Sequence, residues 1–287
     1  MTTAASGPEH GQGPRRDTRG IVDAAELLAR VRFRRHVPAP ELRPYLEHYW
    51  LIDWDLTEPY VSHVVPHPSV NVVFERDARP GGPADSAVVS GIGLELFTKE
   101  LTGTGRVCGV QFRPGGFRPF APGWPVSHWT GRIVPLAEAF PGQEEEPARV
   151  LSPAEDHARV AALDAFLLAH GPVPDPAAEE AMALVDLVRT DRGMRRVSAL
   201  ARAAGLSPRS LQRLFASHVG VGPKWVILRY RIHEALERAE SGAPAETPDW
   251  AGLAADLGYS DQAHLVRDFT ATVGVPPTAY ARALSAA

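Results

Sequence analysis

The chain has 287 residues, 44% hydrophobic and 22% charged, with a formal net charge of −4. That supplies two ordinary domains with real cores. No run of about 18 apolar residues exists, which excludes a membrane-spanning helix. The one cysteine, Cys108, excludes an internal disulfide and points to a cytoplasmic setting. In its apolar, strand-like surroundings it reads as a small buried hydrophobe.

Residues 1–20, rich in Gly, Pro and polar side chains, read as a disordered tail without a secretory signal. Residues 21–31 predict a short helix. Strand character follows at 48–56, 60–75, 86–97 and 106–114, runs rich in Val, Ile, Trp and Phe that Gly/Pro/Asp clusters interrupt. This pattern predicts a β-rich, barrel-like domain over 21–150. The stretch RPGGFRPFAPGWP within it reads as an ordered loop. At 151–175 a linker helix and a Pro-rich connector are expected. Ser152 and Glu155 form a capping-box pattern with Pro153 at the first helical position, and Gly171 closes the helix. Val160, Leu163, Phe166 and Leu167 give that helix an apolar face. From 176 to 287 the pattern is helical throughout, so the expected class is α+β with an all-α C-terminal domain.

The C-terminal domain repeats itself. Gly205 and Ser207 recur as Gly258 and Ser260, 53 residues on. Phe215, Gly220, Val221 and Pro223 recur as Phe269, Gly274, Val275 and Pro277, 54 residues on. The second copy therefore holds one extra residue between its Ser and its Phe. Each copy starts with a short helix that has small residues on one face, ends it at a Gly, and opens a second helix at a Ser, read as its N-cap. Two helices with Ala at the crossing and a short Gly turn make a helix-turn-helix. Leu211, Leu214 and Phe215 form the expected core face of the first recognition helix, which turns Arg209, Gln212 and Arg213 outward. Leu265 and Phe269 are the core pair of the second, with Gln262, Val266 and Arg267 outward. Arg pairs bidentately with guanine and Gln with adenine.

These residues resemble the DNA-binding domain of AraC/XylS-type transcription regulators, best in the second motif: Gly258, Tyr259, Ser260, Gln262, Arg267, Phe269, Gly274, Pro277 and Tyr280. The resemblance implies two helix-turn-helix motifs bridged by a long helix, here 223–240, amphipathic through Val226, Ile227, Tyr230 and Leu236. It implies that Arg209, Gln212 and Arg213 contact bases from the first motif and Gln262, His264 and Arg267 from the second, with Lys224 on phosphate. The N-terminal half resembles the domain beside such motifs in an uncharacterised branch of the family, and the resemblance implies effector sensing or dimerisation there. The expected function is a one-component, sequence-specific regulator of transcription. Its partners would be double-stranded promoter or operator DNA and an unknown small-molecule effector, with RNA polymerase and a second copy of the chain as further candidates.

Two features complicate that reading. From 192 to 238 there are ten basic and two acidic residues, but from 239 to 287 two basic and six acidic. Phosphate attraction therefore favours the first motif. In the N-terminal half, Trp50, Trp54, Phe112 and Phe117 are candidates for an effector pocket, although a β-domain core would use the same side chains. His63 and His67, with His48 and Glu75 near, sit in a strand-like stretch with two prolines and make no metal site, so no metal or cofactor is expected. No phosphate loop or hydrolase motif is present, and no enzyme is expected. The alternative reading is an enzyme or ligand-binding module with a degenerate DNA-binding tail.

Overall fold

The computed structural model describes residues 20–77, 85–191, 193–241 and 249–286. The expected tail, apart from Gly20, lies outside them. In the N-terminal half, α1 (Ala24–Arg30) starts at Asp23, whose carboxylate accepts from the Glu26 N–H at 3.0 Å. Six strands follow: β1 (Val31–His36), β2 (Leu46–Val64), β3 (Asn71–Asp77), β4 (Ser86–Ser90), β5 (Phe97–Phe112) and β6 (Ile133–Pro135). They form one antiparallel sheet in the order β1-β2-β5-β3-β4-β6. The β-rich domain is as expected, but the sheet is open. β1 and β6 are its two edges and do not pair, so it does not close into a barrel.

The expected break between the strand stretches 48–56 and 60–75 does not end a strand. β2 runs through it with a register shift between Leu56 and Tyr60, a bulge that accommodates Pro59. The Pro- and Gly-rich stretch after β5 is an ordered loop, and it buries Phe117 and Phe120 against Phe112.

The linker region also departs from expectation. Two helices occupy it, α2 (Glu146–Leu151) and α3 (Asp156–His170). Ser152 ends α2 instead of opening a helix. α3 starts after Glu155, whose side chain caps nothing. A charge cluster fixes this corner. Arg159 is 1% exposed and donates to Pro153 O, Ala154 O and Asp53. Arg106 donates to Leu151 O, Pro153 O and Asp53, and Arg34 joins Asp53 to Asp156. The apolar face of α3 is as expected: Leu163, Phe166 and Leu167 are buried, with Phe166 edge-on to Phe74 of β3 at 5.6 Å.

The remaining helices are α4 (Pro176–Thr190), α5 (Val197–Ala203), α6 (Pro208–His218), α7 (Pro223–Ser241), α8 (Trp250–Asp256), α9 (Gln262–Val273) and α10 (Pro277–Ala286). α5–α6 and α8–α9 are the two helix-turn-helix units, and α7 bridges them. Their cores differ in company. Leu200, Leu211, Phe215, Val226 and Ile227 belong to the cluster that also contains Tyr49, Phe74 and Phe112 of the N-terminal half and Phe166 of α3. Ile232, Leu236, Trp250, Leu253, Leu265 and Phe269 form a separate cluster, which Val65 of the N-terminal half joins. α7 therefore gives its first half to one core and its second half to the other.

Candidate nucleic-acid interface

The turns of the two units share one geometry. Gly205 has φ +64° and Gly258 has φ +74°, a region that penalises any Cβ. The N–H of Leu206 bonds to Ala201 O at 3.0 Å, and that of Tyr259 to Ala254 O at 2.9 Å. These six-to-one bonds close the first helix of each unit in the manner of a Schellman motif. The glycines after each recognition helix match too, with φ +94° at Gly220 and +85° at Gly274.

The extra residue of the second copy sits in the turn. Ser207 caps α6, accepting from the Ser210 N–H at 3.1 Å. In the second unit the cap is Asp261, which accepts from the His264 N–H at 2.8 Å, and Ser260 lies one residue earlier. That corrects the expectation that Ser260 is the cap. Two hydrogen bonds hold the Asp261 carboxyl below its ordinary range: from the His264 N–H first, then from the Ser260 hydroxyl. Counted from the caps, Arg213 and Arg267 are equivalent, as are Phe215 and Phe269. Gln212 corresponds to Val266, and Gln262 to Pro208.

Arg209, Gln212 and Arg213 of α6, Lys224 at the start of α7, and Gln262 and Arg267 of α9 are all exposed. Among the described residues, no ion pair occupies Arg209, Arg213, Lys224 or Arg267. His264 differs. It is half-buried, edge-on to Tyr259, hydrogen-bonded to Ser260 at 3.3 Å and 3.6 Å from Asp268. In the core, Leu211 and Phe215 are fully buried, whereas Leu214 is only partly covered. Leu265 and Phe269 are both fully buried.

The charge imbalance shrinks once contacts are assigned. Arg195 donates to Asp256 O, Arg231 to Arg195 O, and Arg238 to Asp256 and Glu234, so these cations tie α7 and α8 together. Arg229 is buried. The exposed cations of the first unit are then Arg196, Arg202, Arg209, Arg213 and Lys224; Arg192 lies outside the described residues. In the second unit, Asp249 and Asp261 are helix caps and Asp256 is paired with Arg238.

The four candidate pocket aromatics do not meet. Trp50 and Trp54 lie on one face of the sheet, over Gly109 and Gly105, where any Cβ would run into the indoles. Phe112 and Phe117 lie on the other face, edge to face at 5.1 Å in the main core. They are packing residues on opposite faces of one sheet. A cleft of about 370 Å³ lies elsewhere, walled by the end of α4, the α4–α5 connection, α7 and the end of α8, with His67 of the β2–β3 connection at its edge. His67 stacks on His233 at 3.9 Å, and His63 bonds Thr98. The glycines under Trp50 and Trp54 were a readable signal of close approach, but a single sequence does not say which ring arrives.

Residues 200–283 match the family model described as a helix-turn-helix domain, and residues 34–135 match the one described as a domain of unknown function, DUF6597. The chain carries an AraC-type helix-turn-helix domain at its C-terminus and a DUF6597 domain at its N-terminus. Among solved structures, ToxT from Vibrio cholerae is 12% identical, with 82% of this chain and 97% of that one covered and a TM-score of 0.42. A ToxT structure from Vibrio cholerae with bound unsaturated fatty acid is 13% identical, with 81% and 94% covered and a TM-score of 0.39. No curated protein matches the chain. No helix among the described residues is long and apolar enough to cross a membrane.

Proposed function

We propose that this regulator reads a bipartite DNA site, inserting α6 and α9 into successive major-groove faces, under the control of a small effector. The DNA-binding class rests on the helix-turn-helix domain. One observation supports the finer reading: Arg213 and Arg267 occupy the same position from their caps, both exposed and neither ion-paired among the described residues. Arg209, Gln212 and Gln262 flank them as further base contacts, and the exposed Lys224 binds a phosphate. His264, held by Ser260 and Asp268, acts through the helix start more than on a base. For the effector, the cleft between α4, α7 and α8 is within the size range of small-molecule sites and borders the bridging helix and the end of α8.

Purified full-length chain in a mobility-shift titration on the DNA upstream of its own gene tests the reading. Arg213→Ala should cost about 1–3 kcal/mol on the specific site and relax preference at one base pair. Unchanged affinity at fixed salt removes Arg213 from the interface.

A further inference from the structure

Residues 91–96, which join β4 to β5, lie against both helix-turn-helix units at equivalent points. Ile92 packs on Gly220, where a Cβ would sit 2.6 Å from the Ile92 Cδ1. Leu96 packs on Gly274, where a Cβ would sit 3.3 Å from the Leu96 Cδ2. These two glycines are the repeat-equivalent ends of α6 and α9, both in the left-handed region. In between, Arg229 of the bridging helix donates to Leu94 O at 3.0 Å. The Thr130 hydroxyl adds a bond to Gly220 O at 2.8 Å. One short segment of the sheet domain thus touches the end of each recognition helix and the helix that joins them.

The Arg229 contact is anomalous. Arg229 is 5% exposed, and its Nη1 has no hydrogen-bond partner. Its guanidinium lies 4.4 Å from the centre of the Trp225 ring, and among the described residues no carboxylate pairs with it. Burial lowers its pKa to about 10. A buried guanidinium without an acid is held at a cost that hydration relieves. The bond between the sheet domain and the bridging helix is therefore a point that gains from water on opening.

We propose that the 91–96 segment is a clasp that fixes the relative position of the two recognition helices and releases it at the Arg229–Leu94 contact. The clasp runs directly from β4 into β5, and β5 lies between β2 and β3. A change of the sheet that shifts the β4–β5 connection moves all three contacts together. Among the described residues, Arg209, Arg213 and Arg267 are exposed and form no ion pair or hydrogen bond with the clasp, so its effect is on spacing and not on access.

The test is a distance between units, read without DNA. Nitroxide labels are placed at Ala216→Cys on α6 and Ala271→Cys on α9, both exposed, in a full-length Cys108→Ala background. Pulsed electron paramagnetic resonance of the otherwise unchanged chain should give one narrow distribution. Combining Ile92→Ala with Leu96→Ala should broaden it. Arg229→Met, which keeps the apolar stem and removes the buried charge, should leave the distribution narrow and raise the melting temperature. An unchanged distribution in the Ile92/Leu96 variant overturns the clasp. Should that variant not fold, Arg229→Met decides: a lowered melting temperature or a broadened distribution overturns it. A chain that bound no DNA would still give this readout, so the proposal and the DNA-binding reading fail separately.

Discussion

Arg213 and Arg267 show what a single residue's position can and cannot say. Their exposure followed from helical periodicity, because Leu211, Phe215, Leu265 and Phe269 had to face inward. Leu214 was assigned inward on the same grounds and is only partly covered, since it lies at the margin of the apolar stripe. The two neighbours should separate in a denaturation experiment. Phe215→Ala should cost about 3–5 kcal/mol, as expected for a buried Phe, and Leu214→Ala clearly less. Equal costs would place Leu214 in the core after all. The cap of α9 gives a second residue-scale test. Asp261→Ala should cost about 0.5–2 kcal/mol, whereas Ser260→Ala should change stability by only a few tenths. The sequence offered Ser and Asp side by side, and both residue types cap helices well. The choice fell to the backbone: the added residue entered the turn, which kept the spacing from cap to Phe equal in the two units.

At the scale of elements, the repeat was legible because each helix-turn-helix is a local object. Its Gly turn, cap and apolar stripe lie within about two dozen residues. The α2–α3 corner was not legible. S-P-A-E is a helix-start pattern, yet Ser152 closes α2, because Arg106 and Arg159 bind the carbonyls of Leu151, Pro153 and Ala154 and hold that stretch out of a helix. Those arginines come from a distant strand and from the following helix, and no local pattern announces them. The corner should be acid-sensitive. The Arg34 guanidinium, with Arg159 near, holds the Asp156 carboxyl down at about 2. A depressed folded pKa means that the stabilisation is present above the unfolded value and disappears as pH falls through the folded one. Stability should therefore drop between about pH 4 and pH 2. Asp156→Asn should remove part of that slope in denaturation midpoints measured across this range. An unaltered slope would show that Asp156 does not carry it.

For the whole molecule, charge sums misjudge the candidate DNA-binding surface. The sequence divides the domain into a strongly basic first unit and an acidic second one, but Arg195, Arg231 and Arg238 serve as internal ties and Asp249 and Asp261 as caps. Five exposed cations, Arg196, Arg202, Arg209, Arg213 and Lys224, remain in the described part of the first unit, against Arg267 and Arg282 in the second. The imbalance is smaller, and its direction survives. Removing one cation from a phosphate should flatten the salt dependence of binding by about 0.9 log units per log of salt. Lys224→Ala and Arg209→Ala should therefore flatten the slope on random DNA more than Arg267→Ala does. Equal slopes would mean that both units meet phosphate alike.

By itself the sequence determined the two helix-turn-helix units, their outward residues, the β-rich first half and the apolar face of α3, because short-range periodicity and turn chemistry encode each of these. Tertiary structure decided the rest. It left the sheet open, since closure depends on which edges find partners across the fold. It separated Trp50 and Trp54 from Phe112 and Phe117, since strand parity puts Phe112 on the opposite face from the two indoles and the loop after β5 folds Phe117 back onto Phe112. It also merged the first unit's core with that of the sheet domain while the second unit kept its own. Long-range packing sets that asymmetry: the two copies share a pattern, and their neighbours differ.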